Sequence, residues 1–206
     1  MKTEIIESNA VLLGDFDPSK FDKFFFIKEE LLSENEIKEN SVFLPNLSNI
    51  NTDEVQLSIN NRQIVVVNKN AKGDGSSFVK LADFLVKLVK PSTIGLNFKF
   101  FLFLDDENIE IYTRKIFSPI NSDIVNEKFK EVDSAFGYYA SKNYDISRMK
   151  MEIKPNLAYS LSEKTNHFLL AFDFNFHIEN FKGEEFIFED KLNLFRKEAN
   201  EIVSNV

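Results

Sequence analysis

The residues with the greatest chemical capacity lie in one aromatic-rich stretch, HFLLAFDFNFHIE, at 167–179. Asp173, Asn175 and His177 alternate there with large apolar side chains. Alternate side chains of an extended strand point to opposite faces, so these three polar groups are expected to share one face. A carboxylate and an imidazole on one face could act as an acid–base pair or hold a metal ion. Asp173 and His177 are therefore candidate ligand-binding residues.

The same stretch also reads as one strand of an antiparallel hairpin. With a turn at 162–165, the strand at 147–161 places apolar residues opposite apolar residues and basic residues opposite polar ones. In that register Lys154 lies opposite Asp173. A slip of one residue would destroy both patterns, because side chains alternate with a period of two. This interpretation makes the polar row the solvent-facing side of a hairpin, and we favour it over a catalytic row.

Other catalytic and metal-binding signals are scarce. The chain has no cysteine, which excludes thiol catalysis, disulfides and cysteine-bound zinc. Its two histidines, His167 and His177, lie ten positions apart, or about 33 Å along an extended strand, so one chain cannot bring them to a common metal. No GxSxG nucleophile turn is present. The sequence therefore predicts no catalytic residue, no metal and no cofactor.

A second candidate ligand site is the loop KGDGSS at 72–77, which follows a predicted strand and opens a predicted helix. Backbone N–H groups at a helix start can bind an anion. The loop lacks the spacing of the nucleotide-binding glycine motifs. The alternative that we favour is a flexible turn in which Ser76 or Ser77 caps the helix. The candidate ligand-binding residues of this loop are Lys72, Gly73, Gly75 and Ser76.

A candidate partner-binding surface lies on a predicted amphipathic helix at 122–142. Its apolar residues recur at spacings of three and four, which gives a narrow seam with a charged flank. Such a helix packs on its own sheet or pairs with a helix of another protein, and packing on the chain's own sheet is the simpler alternative. The seam consists of Val125, Phe129, Val132, Phe136 and Tyr139.

Length and composition favour one domain over 1–206, with two halves at about 1–118 and 119–206 as the alternative. A chain of 206 residues can bury a large core. A net charge of −8 argues against nucleic-acid binding, because affinity for phosphates comes from Lys and Arg. We find no signal peptide and no apolar run of about 20 residues, so we expect a cytoplasmic protein without a membrane partner. The abundance of Lys, Asn, Ile and Phe suggests a bacterial or phage origin.

The predicted fold is α+β, with long antiparallel β-hairpins in one or two sheets and three or four helices packed on one face. Asn60-Asn61 is predicted as the turn of an early hairpin that pairs Leu57 with Ile64. A later hairpin is predicted to turn at DDEN, 105–108, into a strand IEIYTRKI. Hairpin followed by helix occurs at 54–90 and again at 148–205, which suggests an internal pseudo-repeat. Helices are predicted at 77–90, 122–142 and 189–204.

These patterns favour a non-enzymatic intracellular protein-interaction module, such as an inhibitor, immunity-like or accessory protein. Chemistry-bearing residues are few, whereas long strands, acidic charge and an amphipathic helix are prominent. One alternative is a small-ligand or nucleotide-binding protein or enzyme that uses the 72–77 loop or the Asp173/His177 strand face. Another is a self-assembling or chaperone-like protein with an aromatic groove. Homo-oligomers are compatible with each of these functions.

Overall fold

All described strands belong to one antiparallel sheet of nine strands, ordered β2-β3-β4-β5-β1-β6-β9-β8-β7. The computed structural model describes residues 2–73, 75–104, 108–117, 127, 129, 135–144, 147–160, 165–179 and 186–206, with the backbone alone at 157–160 and 165–168. The strands are β1 Lys2–Leu13, β2 Val42–Leu44, β3 Leu47–Asn51, β4 Val55–Asn60, β5 Gln63–Asn68, β6 Thr93–Phe103, β7 Tyr138–Asn143, β8 Ser147–Ser160 and β9 Thr165–Glu179. The helices are α1 Lys23–Lys28, α2 Ser76–Val89, α3 Ile109–Phe117 and α4 Phe188–Ser204, and a short 3-10 helix spans Pro18–Lys20.

The core lies between one face of this sheet and helices α2 and α4. On β9, alternation buries Phe172, Phe174 and Phe176, each at most 2% exposed. The ring of Phe195 from α4 stacks on Phe176 with a centroid distance of 4.3 Å. Stacked aromatic rings of this kind bury large apolar areas. The helix-covered face of the sheet is therefore the apolar face of the aromatic strand.

The 3-10 helix and α3 also contact residues of this covered face. The Ser48 hydroxyl on β3 donates to the Pro18 carbonyl at 3.3 Å. Phe117, the last residue of α3, stacks on Tyr138 of β7 at 6.0 Å. On the other face, the side chains at Asn97 and Asn175 are only half-buried. We call the side chains of this second face in β1, β6, β8 and β9 the polar face; they include Glu7, Asn9, Asn97, Lys99, Lys150, Glu152, Asp173, Asn175 and His177.

The C-terminal hairpin has the predicted faces but not the predicted register. Lys154 lies opposite Ala171, and Glu152 lies opposite Asp173. The register differs by two residues from the one predicted, because β8 ends at Ser160 and β9 begins at Thr165, each one residue earlier in the chain than predicted. A shift of two keeps every side chain on its face. The apolar and polar faces of the hairpin are therefore confirmed, and the predicted opposite pairs are wrong.

The hairpin of β4 and β5 differs from the prediction in the same way. Leu57 lies opposite Val66 rather than Ile64. The Asn60 side-chain oxygen accepts hydrogen bonds from the N–H groups of Arg62 and Gln63, at 2.9 and 3.0 Å. Asn60 thus ends its strand and closes the turn with its side chain. The turn centres on the residues after Asn60, which moves the register by two.

The predicted strand after DDEN is wrong, because Ile109–Phe117 forms helix α3. Ile109, Tyr112 and Thr113 are buried, whereas Ile111 is 63% exposed. Spacings of three and four place the buried side chains on one helical face. The Asn108 side-chain oxygen accepts from the Ile111 N–H at 3.0 Å and caps the start of the helix.

The predicted helices differ in outcome. Those at 77–90 and 189–204 are confirmed as α2 and α4, to within one residue at each end. The predicted helix at 122–142 is wrong at its C-terminal end, because Tyr138–Asn143 is strand β7. Most of its remainder lies outside the described residues. Among the helices of the described ranges, none has the length and apolar content that a membrane crossing requires.

Candidate functional site

An open depression of about 520 Å³ lies on the polar face, over strands β1, β6, β9, β8 and β7. Polar and charged side chains dominate its lining. Two of the predicted site residues, Asp173 and Tyr139, lie in it together, although the sequence assigned them to different sites. The lining residues are Glu7, Asn9, Asn97, Phe98, Lys99, Tyr139, Lys150, Met151, Glu152, Asp173, Phe174 and Asn175.

A row of three asparagines crosses the floor of this depression. Asn97 of β6 lies directly opposite both Asn9 of β1 and Asn175 of β9. The Asn175 amide donates to the Asn97 oxygen at 2.6 Å, and the Asn97 amide donates to the Asn9 oxygen at 2.7 Å. The Asn9 amide donates in turn to a Glu7 carboxylate oxygen at 2.7 Å. The row is thus a head-to-tail hydrogen-bond chain that ends on a negative charge.

The geometry of the row fixes the orientation of each amide. A carboxamide has two N–H donors and two lone pairs on its oxygen, and each bond within the row uses one of them. A chain of hydrogen bonds that all point the same way polarises its members and strengthens each bond. The three amides therefore present a preorganised set of donors and acceptors, one on each of three adjacent strands. Adjacent strands are about 4.8 Å apart.

Charged side chains beside the row form a balanced network. Lys99 lies 3.6 Å from Asp173, and Lys154 lies 2.8 Å from Glu152 and 3.9 Å from Asp173. The hydrogen bond that the Lys154 ammonium donates to Glu152 is the main cause that raises the pKa of Lys154. Lys154 of β8 thus contacts both the Glu152 and the Asp173 carboxylates, which the register places opposite each other, and Lys99 of β6 approaches Asp173 from the other side. Within this network the lysines and carboxylates are paired with one another.

The structure does not bring Asp173 and His177 together. His177 Nε2 lies 2.8 Å from a Glu179 carboxylate oxygen on the same strand, whereas Asp173 is paired with lysines. Within the described parts of the chain, no group of three or more His, Asp or Glu residues is placed to hold a metal ion. His177 and Glu179 form a pair at the C-terminal end of β9, without a nucleophile hydrogen-bonded to His177 among the described residues.

The predicted anion site at 72–77 has its groups engaged by the protein itself. The Lys72 ammonium binds a Glu4 carboxylate oxygen at 2.6 Å. The Gly73 N–H donates to the Asn70 side-chain oxygen at 3.1 Å. Gly75, with a left-handed φ of 68°, occupies the position before α2, so the prediction that Ser76 or Ser77 caps the helix is wrong. Such a backbone conformation suits glycine, which lacks a Cβ.

A carboxylate already lies at the start of helix α2. The Ser77 hydroxyl donates to a Glu54 carboxylate oxygen. This carboxylate is thus bound in the first turn of α2, where a helix favours negative charge. The loop at 72–77 and the start of α2 are therefore tied to Glu4 of β1 and to Glu54, the residue before β4.

The Glu4 contact predicts a loss of stability in acid. Hydrogen bonds from Lys2 and Lys72 hold the pKa of Glu4 below its ordinary value of 4.5. A lowered pKa stabilises the fold above that value, and the contribution is lost as the pH falls through the folded-state pKa. We expect Glu4→Gln to reduce the unfolding free energy at pH 7 by about 0.2–1 kcal/mol, as for exposed pairs.

Urea unfolding between pH 7 and pH 3 tests this expectation. The difference between the wild-type protein and Glu4→Gln should shrink toward zero at the acidic end. Lys72→Met, which leaves the contact of Glu4 with Lys2 intact at 2.5 Å, should show a smaller difference at pH 7. A difference that stays constant across this pH range would show that Glu4 acts through packing and not through its charge.

The described residues of the predicted partner-binding seam do not all lie on one surface. Val125 and Val132 lie outside the described residues. Phe129 is 52% exposed and its ring lies 6.5 Å from that of Phe136. The Arg114 guanidinium of α3 lies 5.1 Å from the Phe136 ring and donates to the Phe129 carbonyl at 2.6 Å. Tyr139, on β7, belongs to the polar face instead.

The chain matches no protein-family model, no curated protein and no solved structure.

Sequence reasoning missed two members of the asparagine row, Asn9 and Asn97. The pairing of β6 with β9 joins positions 78 residues apart, as for Asn97 and Asn175, so no local pattern places these amides together. One signal was present, since an Asn-Phe dipeptide occurs in both GLNFKF and DFNFHI. If the two strands are aligned on that dipeptide, Asn97 and Asn175 fall on the same face.

Proposed function

We propose that this protein is a non-enzymatic binding protein that contacts another protein through its polar face and the adjoining edge strand β7. The observation that carries the proposal is the preorganised asparagine row in an open depression of about 520 Å³. The described residues of the site include amides, lysines and carboxylates bonded to one another. An arrangement of this kind supports recognition by hydrogen bonds better than proton transfer, which needs an acid or base aimed at a substrate.

Strand β7 supports the proposal because it is the last strand of the described sheet. The Tyr144 N–H donates to the Ser147 carbonyl at 2.7 Å, and the register pairs Tyr138 with Ile153. In an antiparallel pair, hydrogen-bonded and non-hydrogen-bonded positions alternate. The backbone groups of Tyr139, Ser141 and Asn143 therefore point away from β8. Such outward groups can accept an added strand from a partner.

The edge and the depression form one continuous surface. Tyr139 is 60% exposed, its backbone belongs to the outer edge, and its side chain lines the depression. Across from it, Lys150 and Glu152 of β8 are exposed on the same face. A partner segment that extends the sheet at β7 would place alternate side chains beside this depression. Backbone bonds would supply affinity, and the depression would supply specificity.

The strand order also supports an internal repeat as part of the proposal. Strands β1 and β6 are neighbours at the centre, and each is flanked on its outer side by a hairpin, β4–β5 or β8–β9. Each hairpin is followed by a helix, α2 or α4. We propose that two related halves meet between β1 and β6. The Asn9–Asn97 bond would then cross the boundary between them.

Site-specific photo-cross-linking in the native host tests the proposed function. A photoreactive phenylalanine analogue at Tyr139 should capture a discrete partner protein, because this position lies on the proposed surface. The same analogue at Leu194, which is 53% exposed on α4, should not capture that partner. In the Tyr139-labelled protein, Ser141→Pro should abolish capture, since proline removes an outward N–H and blocks strand addition.

Ser141→Ala is the matched control and should retain capture, because it removes the hydroxyl and keeps the backbone N–H. Ser141→Ala should unfold within about 0.5 kcal/mol of the wild-type protein, as surface changes usually do. Circular dichroism should show that Ser141→Pro keeps the fold, because an edge strand tolerates proline where the backbone N–H faces outward. Equal capture from Tyr139 and Leu194, or capture that survives Ser141→Pro, would contradict the proposed surface. Capture of further copies of this chain alone would indicate self-assembly at β7 instead.

A further inference from the structure

A second cavity, of about 480 Å³, lies away from the polar face, between the end of β1, the 3-10 helix, α1 and the last turn of α2. Its walls are mostly apolar, while two carboxylates and one ammonium group lie among its lining residues. The proposed function above does not use this cavity. It is lined by Asp15, Phe16, Asp17, Lys20, Phe21, Phe25, Leu88 and Val89.

Local sequence explains how the aromatic wall forms. The Phe16 ring folds back over Gly14, where a Cβ atom would lie only 2.7 Å from the ring. The backbone of this segment is tied to the β4–β5 turn, since the Phe16 N–H donates to the Asn61 carbonyl at 3.0 Å. The Phe21 and Phe25 rings meet edge to face at 5.2 Å. The wall is thus built from rings that pack against the protein and are held in place.

Hydrogen bonds from a neighbouring serine favour the ionised form of the Asp17 carboxylate in the lining. Asp17 accepts hydrogen bonds from the Ser19 hydroxyl at 2.6 Å and the Ser19 N–H at 3.2 Å. The hydrogen bond from the Ser19 side chain is the main cause that lowers the pKa of Asp17. The Lys20 ammonium lies 3.9 Å from Asp17, beyond hydrogen-bond distance. Asp15 is exposed beside them, so the lining carries a net negative charge.

We propose that this cavity binds an aliphatic cation, namely a lysine or arginine side chain of a basic partner protein. The apolar stem would pack on Phe16, Leu88 and Val89, while the charged head would reach Asp15 and Asp17. Long cationic side chains bury their stems and keep their heads at polar positions. Aromatic rings favour a nearby cation through their negative faces. The net charge of −8 adds long-range attraction for a basic partner.

The inference that the cation belongs to a partner protein rests on the proposed function. The inference that the cavity binds an aliphatic cation does not. A small probe, n-butylammonium, therefore tests the cavity without any partner. Titration of the isotope-labelled protein, followed by NMR, should give saturable shifts at Phe16, Phe21 and Phe25. Asp15→Asn should weaken binding about threefold, the effect of one exposed charge contact. Lys20→Met should strengthen binding by a similar factor, because it removes a competing cation.

Two controls separate charge recognition from apolar binding. Glu29→Gln removes one negative charge from an exposed residue outside the lining and should leave the affinity for n-butylammonium unchanged. The neutral analogue n-butanol should bind more weakly than the ammonium. Absence of saturable shifts, equal affinity for n-butanol, or equal effects of Asp15→Asn and Glu29→Gln would each overturn the inference. None of these results depends on the polar face. Cross-linking at Tyr139 can therefore fail while the cavity binds n-butylammonium, and it can succeed while the cavity does not bind n-butylammonium.

Discussion

Replacing Phe176 by alanine is expected to lower the unfolding free energy by about 3–5 kcal/mol, as for other large-to-small changes at buried aromatic residues. The Phe176 side chain is fully buried and lies at the junction of sheet and helix. Its ring stacks on Phe195 at 4.3 Å and meets Phe98 edge to face at 6.0 Å. Urea unfolding followed by circular dichroism measures the change. Since domains have a total stability of about 5–15 kcal/mol, this loss is a large share of the total, and the variant is expected to unfold at a clearly lower urea concentration.

Phe24→Ala is the matched control for this change. Phe24 is 78% exposed on α1, so its truncation leaves no cavity and should change the unfolding free energy by no more than about 0.5 kcal/mol. The same chemical change is thus tested at a buried and at an exposed position. A cost below about 1 kcal/mol for Phe176→Ala would contradict the assignment of the core to this face of the sheet.

Gly137→Ala is expected to cost about 1–3 kcal/mol, the usual range for overpacking, and to loosen strand β7. A Cβ at position 137 would lie 2.6 Å from the Ile153 carbonyl oxygen. That oxygen belongs to the backbone of β8 and cannot move away without disturbing the sheet. Hydrogen exchange of the amides that bond β7 to β8, at Tyr138, Ala140 and Lys142, should become faster in the variant.

Gly95→Ala provides the contrast, because a Cβ there meets its nearest atom, in the Asn175 side chain, at 3.5 Å. That distance is an ordinary van der Waals contact. The added methyl group restricts the unfolded chain, so the substitution should be neutral or stabilise the fold by up to about 1 kcal/mol. If Gly95→Ala cost as much as Gly137→Ala, the close approach at Ile153 would not be the reason that position 137 is glycine.

The sequence predicts which face of a strand is buried better than it predicts the register between strands. In both hairpins the alternation of apolar and polar residues identifies the buried face correctly. In both, the true pairs differ by two residues, as with Leu57 and Val66 or Glu152 and Asp173. A two-residue shift preserves every face, so the hydrophobic pattern cannot distinguish the two registers. The register is set by the turn. Because the Asn60 side chain closes its own turn, that turn is shifted by one position on each strand, and the register changes by two residues.

Two segments were assigned to the wrong class of element. In IEIYTRKI, isoleucines alternate as in a strand, but Ile109, Tyr112 and Thr113 also satisfy the helical spacing, and those are the buried ones. Short apolar patterns are ambiguous between the two periods. Tyr139 was assigned to a helical seam on the same kind of evidence, yet it lies on strand β7. The conformation of Tyr139 is set by its pairing with β8, and a local pattern of apolar residues carries no information about that pairing.

The candidate site was only partly predictable for a related reason. The polar row at Asp173, Asn175 and His177 was recognised on one strand, and its position on the solvent-facing side is correct. Its partners at Asn9 and Asn97 come from strands that are distant in sequence. Hydrogen bonds between side chains on non-consecutive strands depend on the strand order, which local propensities do not determine.

The central position of β1 constrains how the chain is assembled during synthesis. Its neighbours in the sheet are β5 and β6. Asn97 of β6, which donates a hydrogen bond to Asn9 of β1, lies 88 residues further along the chain. The ribosome therefore releases the middle strand of the sheet long before either flanking strand exists. Non-local pairings of this kind slow folding and leave apolar surface open in the interval. For a nascent chain with this topology, shielding of β1 by a chaperone would be most useful until β6 has left the exit tunnel.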